Sequence, residues 1–341
     1  MKSLFKTVFR MHQAKPALLY CSFKLTGKCT LNCRQCGIPG QDVLGDMNLE
    51  SFERVLHKLR SYGTRRIILS GGEPVIHSQF RDVVKLIDDY GFRHTHLLTN
   101  LYYSAELQEE VTELLFRYQM SVNTSYDGIG VVADYLRGGS QVSEIVERGM
   151  QMISIANRKH GRQIKPTMTV ILNAKNIHQL PQILQRSLEL GWWLNVDFYR
   201  WSSSSHNECD ELKLLDYAVV KHAIDMLRKA PNLRTPMWLY DGFEAYFRGE
   251  QPKRCPYLDN PSLGSKFFIQ QDGELQMCLS GSAGNILTTE IDEIFAGSQW
   301  QERLSEFKSC PGCWNACYTI TAGWKPYLHK ETLQQMIRNY I

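Results

Sequence analysis

Six short β-branched or aromatic runs alternate with amphipathic helical patterns from Leu18 to about Arg200. That alternation limits the chain more than any other feature, because strands separated by helices pair in parallel and build repeated βα units. Strands are expected at 18–25, 66–70, 94–98, 121–125, 167–172 and 195–199. Helices are expected near 79–90, 105–118, 142–160 and 177–190. In the first helix Phe52, Val55, Leu56 and Leu59 share one face, and Asn48 is placed to cap the N-terminus. Six units are too few for a closed eight-fold barrel, so the expected fold is α/β, a partial (β/α)6 TIM-like barrel. Its site should lie at the C-terminal ends of the strands.

The 341 residues are 43% apolar and 22% charged, which suits a globular enzyme with one large core or two modest ones. A net charge of +4 without a long basic run argues against nucleic acid as a partner. No stretch reaches the roughly 18 apolar residues of a membrane span, and Lys6 and Arg10 interrupt the N-terminus too early for a secretory segment. The expected location is cytoplasmic. Ten cysteines would suit a secreted disulfide framework, but eight of them fall into two groups with ligand-like spacing. Metal in a reducing compartment is the better reading.

The first group is Cys29, Cys33 and Cys36, spaced CxxxCxxC just after the first strand. Three thiolates can hold three irons of a four-iron cluster, leaving the fourth open to a ligand that is not protein. Structural zinc is the alternative, although His12 and His57 are not suitably spaced to complete such a site. The second strand ends in Gly71, Gly72, Glu73 and Pro74, where paired glycines bare the backbone to close approach. Cys29-Thr30-Leu31-Asn32-Cys33-Arg34-Gln35-Cys36, followed one unit later by this GGEP, resembles the radical S-adenosylmethionine (radical SAM) superfamily. The resemblance covers residues 18–200. It implies a 4Fe-4S cluster on the three cysteines, S-adenosylmethionine (SAM) on the open iron, and a GGEP backbone that binds the SAM ammonium. It further implies that Ser125, at the end of the fourth strand near Asp127, touches SAM, and that Arg137 pairs with the SAM carboxylate. Asn100 and Asn173, closing the third and fifth strands, are cofactor contacts or simple turn residues. Gln35 departs from the pattern: an aromatic residue often covers the adenine there, so an altered adenine contact is expected.

The second group is Cys255, Cys278, Cys310, Cys313 and Cys317, with Gly273 five positions before Cys278. It resembles the shortened SPASM or twitch extension of radical SAM enzymes, which implies one auxiliary iron–sulfur cluster, of 4Fe-4S type, in a small C-terminal subdomain. Cys255, Cys278, Cys310 and Cys313 are the first choice of ligands, Cys317 can replace one of them, and zinc stays open for this region. Cys21 reads as a core residue. Cys209 follows the sixth strand, where a thiol either packs locally or donates a hydrogen atom to a substrate radical. The expected organisation is an amphipathic extension at 1–17, which packs on the barrel or rests on a membrane surface, the barrel at 18–200 and connecting loops and helices at 201–250. The auxiliary region follows at 251–325 and a terminal helix at 326–341.

The resemblance implies reductive cleavage of SAM to a 5'-deoxyadenosyl radical that takes a hydrogen atom from a substrate C–H bond. A flavodoxin or ferredoxin is the expected electron donor, and a peptide or a small molecule, sugar or lipid the expected substrate. The glycine- and arginine-rich tail of molybdenum-cofactor cyclases is absent, which disfavours that activity. A radical SAM epimerase or carbon–carbon bond-forming enzyme with a thiol hydrogen donor is one alternative. A non-catalytic iron–sulfur or zinc protein is another.

Overall fold

The computed structural model describes residues 16, 18, 20–37, 44–162, 164–199, 209–250, 266–278 and 281–309. Its six parallel strands β1 (Tyr20–Lys24), β2 (Arg66–Ser70), β3 (His94–Thr99), β4 (Ser121–Ser125), β5 (Thr167–Leu172) and β6 (Trp193–Phe198) neighbour one another in chain order. Between them run α1 (Leu49–Tyr62), α2 (Phe80–Asp89), α3 (Ala105–Arg117), α4 (Val131–Arg137), α5 (Val142–Lys159) and α6 (Leu180–Leu190). This is the partial (β/α)6 barrel, α/β in class. Local chemistry sets the helix ends: the Asn48 side chain accepts the Ser51 N–H at 2.8 Å, and Gly63 closes α1 in the left-handed region.

Alternate strand residues divide between the two faces of the sheet. Cys21, Phe23, Ile67, Leu69, Leu97, Val122, Val170 and Val196 are buried in one continuous core beneath the helices, with the Phe23 and Phe52 rings 4.7 Å apart. Each such side chain contributes about 1.5–3 kcal/mol when fully buried. The opposite face lines the open interior of the barrel.

The β6 edge is covered rather than left bare. Residues Asn232 and Arg234 exchange backbone hydrogen bonds with Leu194, and the Thr235 hydroxyl accepts the Val196 N–H. Behind that edge α7 (Tyr217–Leu227) and α8 (Met237–Phe247) pack, and the Phe198 ring meets Phe243 at 5.1 Å, tilted, and Phe247 at 5.6 Å, edge-on. The sequence pattern suggests a helix over 211–227, whereas the structure has a 3-10 turn at Asp210–Leu212 and then α7. Asp216 makes the break by capping Ala218 N–H.

The other edge was not expected. β7 (Lys266–Ile269) pairs in parallel with β1, and β8 (Glu274–Gln276) and β9 (Ser282–Asn285) continue antiparallel, so one sheet of nine strands runs through the described residues. α9 (Ile291–Ala296) and α10 (Ser298–Ser309) back this meander with Phe267, Phe295 and Trp300 in mutual ring contact. Lys58 on α1 donates to the Ile286 and Thr289 carbonyls at 2.9 and 3.0 Å, tying the meander to the barrel. No helix among the described residues is long and apolar enough to cross a membrane. The expected extension at 1–17 falls outside the described residues except for Pro16, and the expected helix at 326–341 lies outside them altogether.

Candidate active site at the strand ends

The three cysteines occupy the loop that leaves β1 at its C-terminal end. Cys33 is buried, Cys29 and Cys36 are half-buried, and the Cys36 N–H donates to the Cys33 carbonyl at 3.2 Å. Two neighbours fix the loop. Arg34 N–H donates to the Leu136 carbonyl on α4 at 3.0 Å, and the close approach of that helix end requires Gly138, whose φ is +66° and whose added Cβ would meet the Asn32 carbonyl oxygen at 2.3 Å. The LRGG sequence therefore serves the cysteine loop as well as supplying Arg137. Burial pushes the Cys33 thiol up to about 12, opposed by the nearby Arg137, and burial also raises Cys29. Iron must displace protons from these thiols on binding.

The GGEP segment is packed against this loop. Gly72 and Glu73 N–H groups donate to the Thr26 and Lys28 carbonyls, both at 2.8 Å. The glycines are needed because a Cβ on Gly72 would sit 2.0 Å from the Lys28 oxygen, and one on Gly71 would sit 2.4 Å from the Thr26 oxygen. With these two N–H groups spent, the backbone offers carbonyl acceptors, the polarity that an ammonium needs. Gly72→Ala should cost at least about 1–3 kcal/mol of stability, since the backbone it strikes is held by two hydrogen bonds. A urea midpoint for that variant equal to wild type would contradict this packing.

Glu73 is fully buried, and its carboxylate accepts from Thr99 Oγ1 at 2.8 Å, Asn100 N at 2.6 Å and Val75 N at 3.2 Å. It pins the end of β3 to the end of β2, and Pro74 opens the short 3-10 turn that follows. Burial pushes its carboxyl up to about 7 from an ordinary 4.5, against the pull of those hydrogen bonds. Between these pH values the native state binds more protons than the unfolded one, so stability falls as pH rises from 4.5 to 7 and is level above. The span is on the order of 3 kcal/mol. Glu73→Gln should flatten the change in urea midpoint between pH 5 and 7; a slope matching wild type would contradict the assignment.

Asn100 Nδ2 donates to Thr30 Oγ1 at 2.9 Å and to Cys29 Sγ at 3.6 Å. Hydrogen bonds to cluster sulfurs tune reduction potential. Asn173 is fully buried with its amide used inside its own turn, Oδ1 taking the Lys175 N–H at 2.9 Å and Nδ2 reaching the Ile171 carbonyl at 3.2 Å. These bonds give Asn173 a role within the turn that follows β5. Ser125 ends β4 on the interior face, paired with Thr169 of β5, and its hydroxyl makes no hydrogen bond to a described residue.

Asp127 is the hub that local sequence signals did not reveal. Its Oδ2 accepts from Arg137 Nη1 at 2.8 Å and Gln35 Nε2 at 2.9 Å, and its Oδ1 accepts the Ile171 N–H at 2.9 Å. Gln35, where an aromatic residue was the pattern, thus anchors the cysteine loop to β4 and β5. The Arg137 guanidinium makes no other hydrogen bond to a described residue, so its remaining donors suit an anionic group. Three thiols on one turn, an amide on one sulfur and a guanidinium with open donors fit a site-differentiated cluster carrying an amino-acid ligand.

Cys209 lies past the end of β6, packed on Leu136, Tyr199 and Leu212, with its thiol donating to Glu211 Oε1 at 3.6 Å. Burial and the Glu211 charge raise this thiol, so it keeps its hydrogen. Glu211 also meets Arg34, Lys175 and the Tyr135 hydroxyl, joining the cysteine loop, α4 and the loops after β5 and β6. These contacts span 76 to 177 positions for Tyr135 and Arg34, which no short motif could signal. Cys278 follows β8 with φ +67°, while Cys255, Cys310, Cys313 and Cys317 lie outside the described residues.

A sequence profile of the radical SAM superfamily matches residues 23–186. Probable GTP 3',8-cyclase from Methanothermobacter thermautotrophicus is 25% identical over 271 residues, 75% of this chain and 82% of that protein. PqqA peptide cyclase from Bradyrhizobium diazoefficiens is 28% identical over 188 residues, 52% of this chain and 47% of that protein, so the chain spans about half of that relative. Among solved structures, Streptococcus suis SuiB bound to S-adenosylmethionine has a TM-score of 0.66 at 15% identity, covering 94% of this chain and 78% of that one. At that identity the likeness shows the fold alone.

Proposed function

We propose that this chain, whose residues 23–186 match the radical SAM superfamily, belongs to it and is an enzyme that removes a hydrogen atom from a C–H bond of a peptide or small-molecule substrate. The observation that carries the reading is the convergence, at one face of the sheet, of the open three-cysteine loop, the GGEP backbone and the open donors of Arg137. When bound, the cluster and SAM supply a 5'-deoxyadenosyl radical at the cost of one electron from a flavodoxin or ferredoxin. Cys29, Cys33 and Cys36 hold the iron, and the Asn100 amide steadies Cys29. Arg137 pairs with the SAM carboxylate while Asp127 holds it in place. Carbonyls of the glycine pair take the ammonium, and Ser125 faces the same interior.

The cyclase whose name specifies a peptide supports a peptide substrate, and the probable GTP cyclase supports a small molecule. In this reading Cys255, Cys278, Cys310 and Cys313 hold an auxiliary cluster, and Cys317 can replace one of them. Anaerobic reconstitution with iron and sulfide tests both sites: about eight irons per chain is expected, and about four would remove the auxiliary cluster. Addition of SAM should change the electron paramagnetic resonance of the reduced protein; an unchanged spectrum would leave the open iron without its ligand. The protein works in a cytoplasmic, reducing setting. A second reading rests on Cys209, whose protonated thiol at the barrel rim suits hydrogen-atom return to a substrate radical.

A further inference from the structure

Lys24 ends β1 one residue after Phe23, and it takes the opposite side of the sheet from that core ring. It therefore faces the barrel interior, at the same strand end as the cysteine loop. Its side chain is half-buried, and the ammonium makes no hydrogen bond or ion pair to any described residue. Burial lowers its pKa, and Cys36, a thiol that the cluster would claim, raises it. A half-buried cation with no hydrogen-bond or ion-pair partner among the described residues is costly unless an anion offsets it.

Along β1–β7 the other ionisable side chains apart from tyrosine and cysteine are Arg66, His94, His96 and Lys266, toward the N-terminal ends of their strands, and Asp197, toward the C-terminal end of β6. Arg66 pairs with Tyr20 and Ser70 with Lys24, so at about 3.3 Å per residue Lys24 stands roughly 13 Å along the sheet from that group of cations. The buried carboxylates at its own end are already hydrogen-bonded, Glu73 by Thr99, Asn100 and Val75, and Asp127 by Arg137 and Gln35. Arg137 reaches the site from α4 and already answers the SAM carboxylate, so Lys24 on β1 is available to something else.

We propose that Lys24 binds an anionic oxygen group of the substrate, a carboxylate or a phosphate, and holds it in the barrel interior beside the cysteine loop. This rests on the radical SAM reading of the same site. The test labels lysines in the reconstituted, SAM-loaded protein with an amine-reactive acylating reagent and reads each site by peptide mass spectrometry. Sodium phosphate, sodium acetate and sodium chloride are compared at equal ionic strength. Phosphate or acetate should lower labelling of Lys24 about threefold, as occupancy at twice a dissociation constant would, while exposed Lys85 stays constant. Protection by phosphate alone assigns a phosphorylated substrate, and protection by acetate assigns a carboxylate. No protection by either anion, equal protection at Lys85, or no labelling of Lys24 in chloride would overturn the proposal. Formation of 5'-deoxyadenosine by the same preparation reports separately on the radical chemistry, so the two failures are distinguishable.

Discussion

Cys33→Ala protein, reconstituted anaerobically, is expected to lose about four irons per chain and to form no 5'-deoxyadenosine above background. Cys33 is the most enclosed of the three cysteines, and the two residues that follow it are tied down, Arg34 to α4 and Gln35 to Asp127. The loop therefore has little freedom to offer another sulfur. Cys21 cannot replace it, because that thiol lies fully buried on the helix side of β1, next to Leu18 and Thr64. Iron content and deoxyadenosine yield, measured together, check this. Cys21→Ala should leave both near wild type, and a Cys33→Ala protein that retains full iron would remove the three-cysteine site.

Asp127→Ala should be the most destabilising single change outside the core, costing about 3–5 kcal/mol by stranding the buried Arg137 charge. The side chains of the pair are 10% and 2% exposed, so water cannot replace the lost partner. The Gln35 amide and the Ile171 N–H lose their acceptor in the same step. The urea midpoint of Asp127→Ala should therefore drop sharply, and adding Arg137→Met should restore part of it. A single variant within about 0.5 kcal/mol of wild type would show that Asp127 is not the hub. SAM affinity should also fall in the single variant, because Arg137 is no longer oriented.

The barrel was legible in the sequence because its information is local. β2, β4 and β5 follow directly from runs of branched residues, and Asn48 marks the start of α1 as its chemistry requires. The strand ends were legible too, since CxxxCxxC and GGEP are short, contiguous signals. What stayed hidden depends on contacts between distant segments. Nothing near Gln35 shows that it meets Asp127 at a separation of 92 residues, and nothing near Arg34 points to Glu211. β7 was missed because a four-residue run becomes a strand only where β1 offers a free edge. Asn173, read from its place after β5 as a cofactor contact or a turn residue, has its N–H on Asn176 Oδ1 at 2.7 Å, a partner that the strand pattern does not signal. Lys24 ends an otherwise uncharged strand, and its meaning emerges only once the opposite face is seen to carry the core.

The central claim is that this strand-end site activates SAM through the cluster on Cys29, Cys33 and Cys36. Fully reconstituted protein, reduced and incubated with SAM and a lysate fraction as a source of substrate, tests it most directly through the yield of 5'-deoxyadenosine and methionine. Equal amounts of the two products, formed only when all three cysteines are present, are predicted. Iron-replete, reduced protein that binds SAM and yields neither product would contradict the account.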